Sequence, residues 1–130
     1  MIAHGIDLVD VSSTARMLAD PTDQLLTRCF TDQEQMSAGN GVHRAARLSG
    51  RFAVKEAVMK ALGTGFGGGI GFLDIETVTL ASGAPSIVLH GEAQRRAEML
   101  GISSWLVSTS HEGDMAIASV IGLADQGTPT

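Results

Sequence analysis

The chain has 130 residues, a net charge of −5 at pH 7, 44% hydrophobic and 18% charged residues, and a single cysteine. That length suits one domain with a real core, the acidic balance argues against nucleic acid as a partner, and a lone Cys29 excludes an intrachain disulfide and fits a reducing compartment. No apolar run approaches the ~18 residues of a membrane span, and Asp7 and Asp10 interrupt the start where a signal peptide would be apolar. The expectation is a soluble, cytoplasmic protein with no membrane partner, whose low charge content favours an oligomer.

Ile2 to Val11 reads as a strand with Asp7 and Asp10 near its exit. Ser12-Ser13-Thr14 then predicts serine caps on a short helix through Ala19, broken at Asp20-Pro21 because the residue before proline avoids helical angles. A second short helix is predicted from Asp23 to Arg28. Thr31-Asp32-Gln33-Glu34 has the form of a capping box, which assigns Glu34 to the backbone rather than to chemistry. Gly39-Asn40-Gly41 turns the chain into its longest element.

That element is a helix from Val42 to a stop at Gly63, rich in Ala, Lys, Met and Leu. Arg44, Arg47, Arg51 and Lys55 fall within an arc of roughly 80° on it, at 100° per residue. With Lys60 they are five of the nine basic residues of the chain. Aligned cations cost a few tenths of a kcal/mol per i,i+4 pair. The stripe is therefore either a solvated face whose stems cover apolar surface or the seat of an anion. Glu56 lies on the neighbouring face with Phe52 and Met59, where a carboxylate needs a partner or a task.

Gly63 to Gly71 holds six glycines in nine positions. Gly63, Gly65 and Gly68 match GxGxxG, but the order here is helix then strand, the reverse of a dinucleotide fingerprint. The stretch reads as a mobile or close-packing loop whose backbone, from Gly63 on, is free to lie against a ligand. Phe72–Leu80 and Ser86–Leu89 read as strands about a Ser82-Gly83-Ala84-Pro85 turn. Gly91–Leu100 reads as an amphipathic helix ended by Gly101. Ser103–Ser110 and Met115–Ile121 form a last hairpin. The domain is expected to span 1–123, with a loose tail over 124–130.

Asp7 at a strand exit and Glu56 on a helix are the least a protein contributes to a Mg²⁺ site, since that ion takes one or two carboxylates and completes its shell with water and phosphate. Each is also accounted for without a metal, Asp7 as a strand-end turn residue and Glu56 as the i+4 partner of Lys60. His111 with Ser108 or Ser110 and Asp114 invites a nucleophilic triad, but no nucleophile elbow surrounds either serine.

Arg51-Phe52-Ala53-x-Lys55-Glu56-Ala57-x-x-Lys60-Ala61-Leu62-Gly63-Thr64-Gly65 resembles the signature of the holo-acyl-carrier-protein synthases, a family of phosphopantetheinyl transferases. Gly5-Ile6-Asp7-Leu8-Val9-Asp10, Phe30-Thr31-x-x-Glu34, Asp74-Ile75-Glu76 and Val107-Ser108-Thr109-Ser110-His111 agree at family-like spacing, over roughly residues 2–123. The resemblance implies an α+β fold, a small antiparallel sheet packed on a long central helix, assembled as a homotrimer with coenzyme A between adjacent subunits. It implies that Asp7 and Glu56 hold Mg²⁺ against the pyrophosphate of coenzyme A. Lys60 is then near that pyrophosphate or paired with Glu56, and Arg51, Gly63 and His111 bind the coenzyme. The implied reaction is attack by a serine of apo-acyl carrier protein on the β-phosphate, with release of adenosine 3′,5′-bisphosphate. The proton acceptor is Glu56, or a metal-bound water held by it. Basic residues that would receive an acidic carrier protein are sparse on the first helix, where Arg16 is the best candidate. Two rivals remain: a metal-dependent phosphoester hydrolase and a non-catalytic coenzyme A or carrier-protein binding module.

Overall fold

A computed structural model describes residues 3–63 and 69–125. Strand β1 (Ala3–Asp10) leads into α1 (Val11–Leu18), α2 (Gln24–Cys29) and α3 (Asp32–Ser37), then into the long α4 (Arg44–Leu62). A 3₁₀ turn (Phe72–Asp74), β2 (Ile75–Thr79), β3 (Pro85–Leu89), α5 (Gly91–Met99), β4 (Ile102–Glu112) and β5 (Met115–Ala124) complete the chain. The strands form a three-stranded antiparallel sheet in the order β1-β5-β4 and a separate antiparallel pair, β2-β3. This is the α+β architecture that the sequence predicts.

Helix α4 is central because it is wanted on most sides. Leu48, Ala53, Val54, Ala57, Val58, Met59 and Leu62 are all buried, more than one apolar stripe supplies. The sheet rests on it through small residues: Ala118 and Val120 of β5 share one core cluster with Ala53 and Ala57 of α4. Gly5 of β1 comes closest. A Cβ built there would fall on the Ala57 carbonyl oxygen, well inside van der Waals contact, so the glycine of the opening motif is a packing requirement. A second cluster, Leu26, Cys29, Phe30, Ala38 and Leu48, sits under the short helices, and Cys29 is among its buried members.

Local chemistry sets the element ends. Gly63 closes α4 in the left-handed region (φ 74°), its N–H bonded to the Lys60 carbonyl at 3.0 Å, as a helix C-cap requires. The capping box at Thr31 and Glu34 is present in both directions. The cap of α1 is Asp10, whose carboxylate accepts from the Ser12 N–H at 2.9 Å, and not one of the serines after it. Aspartate caps as well as serine does, so the helix starts at Val11, ahead of the serines expected to cap it. The predicted strand at 72–80 divides into a 3₁₀ turn and the shorter β2. Strand β5 runs on through Ala124, one residue into the expected tail; 126–130 and the glycines at 65, 67 and 68 lie outside the described residues.

Candidate active site

Alternation along β1 turns Gly5, Asp7 and Val9 toward α4 and His4, Ile6 and Leu8 away from it. Asp7 is therefore buried against the helix, at the level of Glu56 and Lys60. Lys60 Nζ donates to Asp7 Oδ1 at 2.8 Å and to the Ile6 carbonyl at 3.1 Å. The alternative in which Lys60 pairs with Glu56 along the helix gives way to this cross-element bond. It is a stronger use of the ammonium, because Asp7 is 8% exposed and has few other sources of compensation.

Asp7 Oδ2 is buried and receives no hydrogen bond from a donor among the described residues, although a protonated Glu56 lies within hydrogen-bond reach of the Asp7 carboxylate. Beside it, burial and the Asp7 charge push the Glu56 carboxyl up to about 7, while Lys60 pulls the other way. Two carboxylates drawn together in this way, the Asp7 charge crowding the half-buried Glu56 and one Asp7 oxygen without a donor among the described residues, suit a hard divalent cation. Among the described residues no third carboxylate, histidine or cysteine joins them in a metal-binding group. Such a site leaves most of the coordination shell to water and to phosphate, the habit of Mg²⁺.

On the other side of α4 lies a cleft of about 500 Å³. Its walls are the first half of α4, with Arg47 and Arg51; the β2-β3 pair, with Thr77, Thr79 and Ser86; and the β4-β5 end, with His111. Arg51 Nη1 is buried and has no hydrogen-bond partner. Burial pulls the Arg51 pKa below its ordinary value, Glu34 opposing and Arg47 and Arg44 adding to the fall. An arginine held this way keeps unused hydrogen-bonding capacity beside the cleft.

Residues 3–118 match the family model of the 4′-phosphopantetheinyl transferase superfamily. The chain belongs to this superfamily. It is 47% identical over 117 residues to the holo-[acyl-carrier-protein] synthase of Gloeobacter violaceus, covering 89% of this chain and 88% of that one. To that of Nitratidesulfovibrio vulgaris it is 45% identical over 123 residues, covering 93% and 97%. Among solved structures it resembles the holo-[acyl-carrier-protein] synthase of Helicobacter pylori in complex with coenzyme A, with a TM-score of 0.79 and 29% identity over 92% of this chain and 99% of that one. The Neisseria meningitidis enzyme gives 0.81 and 31%, covering 95% and 99%.

The superfamily motifs thus divide between two places. Asp7, Glu56 and Lys60 meet at the β1 side of α4, one turn before Gly63. Arg51 and His111 meet in the cleft. Arg51 and Lys60, nine residues apart, point in roughly opposite directions at 100° per residue, so one chain does not gather the whole predicted set.

The basic stripe needs correction. Lys55 is fully buried and bonded to Glu34 Oε1 at 2.8 Å, so it belongs to the core and not to an anion-facing row. Arg44 Nη1 is spent on the carbonyls of Gln35 and Gly39 at 2.8 and 2.7 Å, and Arg47 Nη1 reaches the Ala38 carbonyl at 3.3 Å. These three cations tie down neighbouring elements, which offsets the repulsion that made the row look costly. Arg51 is the member with a buried unbonded nitrogen. Glu34 was legible as a cap and a motif position but not as the partner of Lys55, and Thr77 and His43 carried no functional signal in the sequence. Arg16, exposed on α1, bonds to Ser13 Oγ at 3.1 Å.

Proposed function

We propose that this protein transfers the phosphopantetheine group of coenzyme A to a serine of an apo-acyl carrier protein. The reaction depends on Mg²⁺ and releases adenosine 3′,5′-bisphosphate. The observation that carries the reading is the close pair of a buried Asp7 and a half-buried Glu56, with its unbonded oxygen and crowded charge, on the superfamily's own motif. Asp7 Oδ2 and the Glu56 carboxylate would hold the cation; when bound, it neutralises the pyrophosphate charge that grows in phosphoryl transfer.

The chain's own groups supply the rest. Lys60 fixes the Asp7 carboxylate through Oδ1 and leaves Oδ2 turned into the site, while its ammonium stays 56% exposed and within reach of phosphate oxygens. The serine Oγ of the carrier protein attacks the β-phosphorus and gives up its proton to a Glu56 oxygen; the bond from that phosphorus to the bridging oxygen breaks, and the nucleoside bisphosphate departs with it. Glu56, a carboxylate beside the reacting centre, would accept that proton as the general base. Arg51, whose Nη1 has no hydrogen-bond partner among the described residues, would take the 3′-phosphate in the bidentate manner of a guanidinium. His111 lines the same cleft, and Gly63 offers backbone at the end of α4.

The coenzyme spans two copies of the chain in this reading, because the two halves of the site face away from each other across α4. A surface for self-association supports it. The outer face of the β1-β5-β4 sheet carries Ile6, Leu8 and Leu106, 50–58% exposed, with Ile117 opposite Leu8 and Ile121 opposite Leu106. Exposed apolar side chains grouped in this way ask for a partner, and copies of the face brought together around a threefold axis would cover them. The carrier protein would approach near Arg16 and Arg28. No helix among the described residues is long and apolar enough to cross a membrane, and a cytoplasmic setting matches the free buried thiol of Cys29.

Product analysis tests the reading. The protein mixed with coenzyme A, Mg²⁺ and apo-carrier protein should leave phosphopantetheine covalently on the carrier serine, seen as a mass increase. Free phosphopantetheine with an unmodified carrier would make it a hydrolase, and tight coenzyme A binding without turnover would make it a binding module.

A further inference from the structure

Lys55 and Glu34 are both fully buried. Lys55 Nζ spends all three of its protons: on Glu34 Oε1 at 2.8 Å, on the Phe72 carbonyl at 2.8 Å and on the Ile75 carbonyl at 2.7 Å. Its ammonium also lies 5.5 Å from the centroid of the Phe30 ring. Glu34 Oε1 further accepts the Thr31 N–H at 2.8 Å, and Oε2 accepts both the N–H and the hydroxyl of Thr77, at 2.9 and 2.6 Å. One ion pair therefore joins the first turn of α3, the middle of α4, the 3₁₀ turn and strand β2.

The network has a direction that packing alone would not supply. Strands β2 and β3 form a sheet of their own, and an isolated two-stranded hairpin is poorly fixed without outside ties. Thr77 lines the cleft on the hairpin side, while Arg51, one helical turn before Lys55, lines it on the α4 side. A buried ion pair is seldom the most stabilising filling for its volume, yet its charged hydrogen bonds fix angles and distances in a way that a pair of apolar side chains does not.

We infer that the Lys55–Glu34 pair is a positioning pair for the coenzyme cleft, holding the β2 wall at Thr77 in register with Arg51 so that both meet the ligand together. The inference rests on the coenzyme A reading of the cleft. Neither Lys55 nor Glu34 touches the ligand; they act through Thr77 and the backbone of β2. The glycine-rich connection is anchored by the same ammonium where it re-enters the fold, at Phe72 and Ile75.

The test uses coenzyme A binding by calorimetry, steady-state kcat and KM for coenzyme A, and Tm. Thr77→Val keeps the ion pair and the β2 N–H bond but removes the hydroxyl bond to Glu34; it should raise the coenzyme A Kd and KM about five- to tenfold, less than the full worth of one hydrogen bond to a charged group because the loss reaches the ligand only through the wall, with kcat held within about twofold. Thr77→Ser should restore the wild-type values. The double variant Glu34→Gln, Lys55→Met removes both charges and keeps the volume. It should show the same KM defect, and adding Thr77→Val to it should change KM by less than about twofold, as expected when two residues act through one contact. If the double variant does not fold, the Val and Ser variants decide alone. Variants that lose Tm while the coenzyme A KM stays at the wild-type value would reduce the pair to a structural one and overturn the inference. Arg51→Ala is the control. No effect of Arg51→Ala on coenzyme A binding would sink the reading of the cleft itself, whereas a strong effect there with none at Thr77 would sink only the positioning role.

Discussion

Lys60 Nζ stands 2.8 Å from Asp7 Oδ1 across fifty-three positions of sequence, and this bond brings the two carboxylates of the site to one place. It also divides the labour of the Asp7 oxygens, Oδ1 held by the ammonium and Oδ2 left buried without a donor among the described residues. Asp7→Asn keeps the shape and removes the charge that both Lys60 and a cation need. Transfer should fall by at least about a hundredfold, since a positioned metal contributes several kcal/mol to the reaction. Tm should change little, because a half-exposed lysine loses only a weak partner. Glu56→Gln should behave alike. Wild-type turnover in either variant at limiting Mg²⁺ would remove these residues from the metal site.

The approach of β1 to α4 gives a second test. A Cβ at Gly5 falls on the Ala57 carbonyl, so Gly5→Ala must push the strand outward and carry Asp7 with it. Overpacking of this kind costs about 1–3 kcal/mol, which a melting curve would register. Activity should fall further than stability, because Asp7 moves away from Glu56 as the strand shifts. A fully active, fully stable Gly5→Ala protein would mean that the close contact is not needed.

Stability should depend on pH through Glu56. Its folded pKa, about 7, lies above the ordinary value of 4.5, so between these values the folded state binds more protons than the unfolded one. The stability present below pH 4.5 is then lost as pH rises through 7. Tm measured without divalent cations should fall over this window more steeply in the wild type than in Glu56→Gln. Added Mg²⁺ should raise Tm more at pH 8 than at pH 5, since the cation binds the ionised pair. Equal slopes for the two proteins would show that Glu56 is not the group responsible.

The elements were legible where local chemistry decides them. Helix α4 announced itself through its helix formers and its stop at Gly63, and the capping box at Thr31 and Glu34 marked α3. Asp10 was passed over as a cap because three hydroxyl residues follow it, although aspartate serves equally well. The long-range pairings were not legible. Lys55 reads as the fourth member of a basic stripe until Glu34, twenty-one residues earlier, is seen to share its burial. Periodicity assigns a side chain to a face but not to a partner, and a charged residue goes to the core only when a partner waits there. The sequence named Asp7, Glu56, Lys60, Arg51 and His111 as candidates, and the fold puts the first three on the β1 side of α4 and the other two along the cleft.

Arg51 should read a phosphate. Its unbonded Nη1 and lowered pKa mark a desolvated cation with capacity to spare. Arg51→Ala should weaken coenzyme A by about 1.5–3 kcal/mol, the loss of one charged hydrogen-bonded contact, and 3′-dephospho-coenzyme A much less. The preference should shrink as salt rises if the phosphate is partly exposed. Equal losses for the two ligands would assign Arg51 to some other part of the coenzyme.

The separation of the two half-sites across α4 gives the last prediction. Asp7→Ala disables the carboxylate half and leaves the cleft intact; Arg51→Ala does the reverse. If each site is built from the carboxylates of one copy and the cleft of the next, each variant alone has only damaged sites. Mixed in equal amounts and allowed to exchange subunits, the two should recover activity. In a closed ring a site is whole when the copy giving the carboxylates is the Arg51→Ala chain and its neighbour giving the cleft is the Asp7→Ala chain. With random exchange that arrangement arises at about one site in four, whatever the size of the ring. Activity should therefore climb toward a quarter of wild type, and sedimentation should show a trimer throughout. Leu106→Glu, which puts a charge into the apolar sheet face, should give monomers that do not complement either variant. A mixture that stays as inactive as its parts after proven exchange would mean that one chain builds the whole site, and the coenzyme would then have to wrap around the end of α4 near Gly63 to reach both halves.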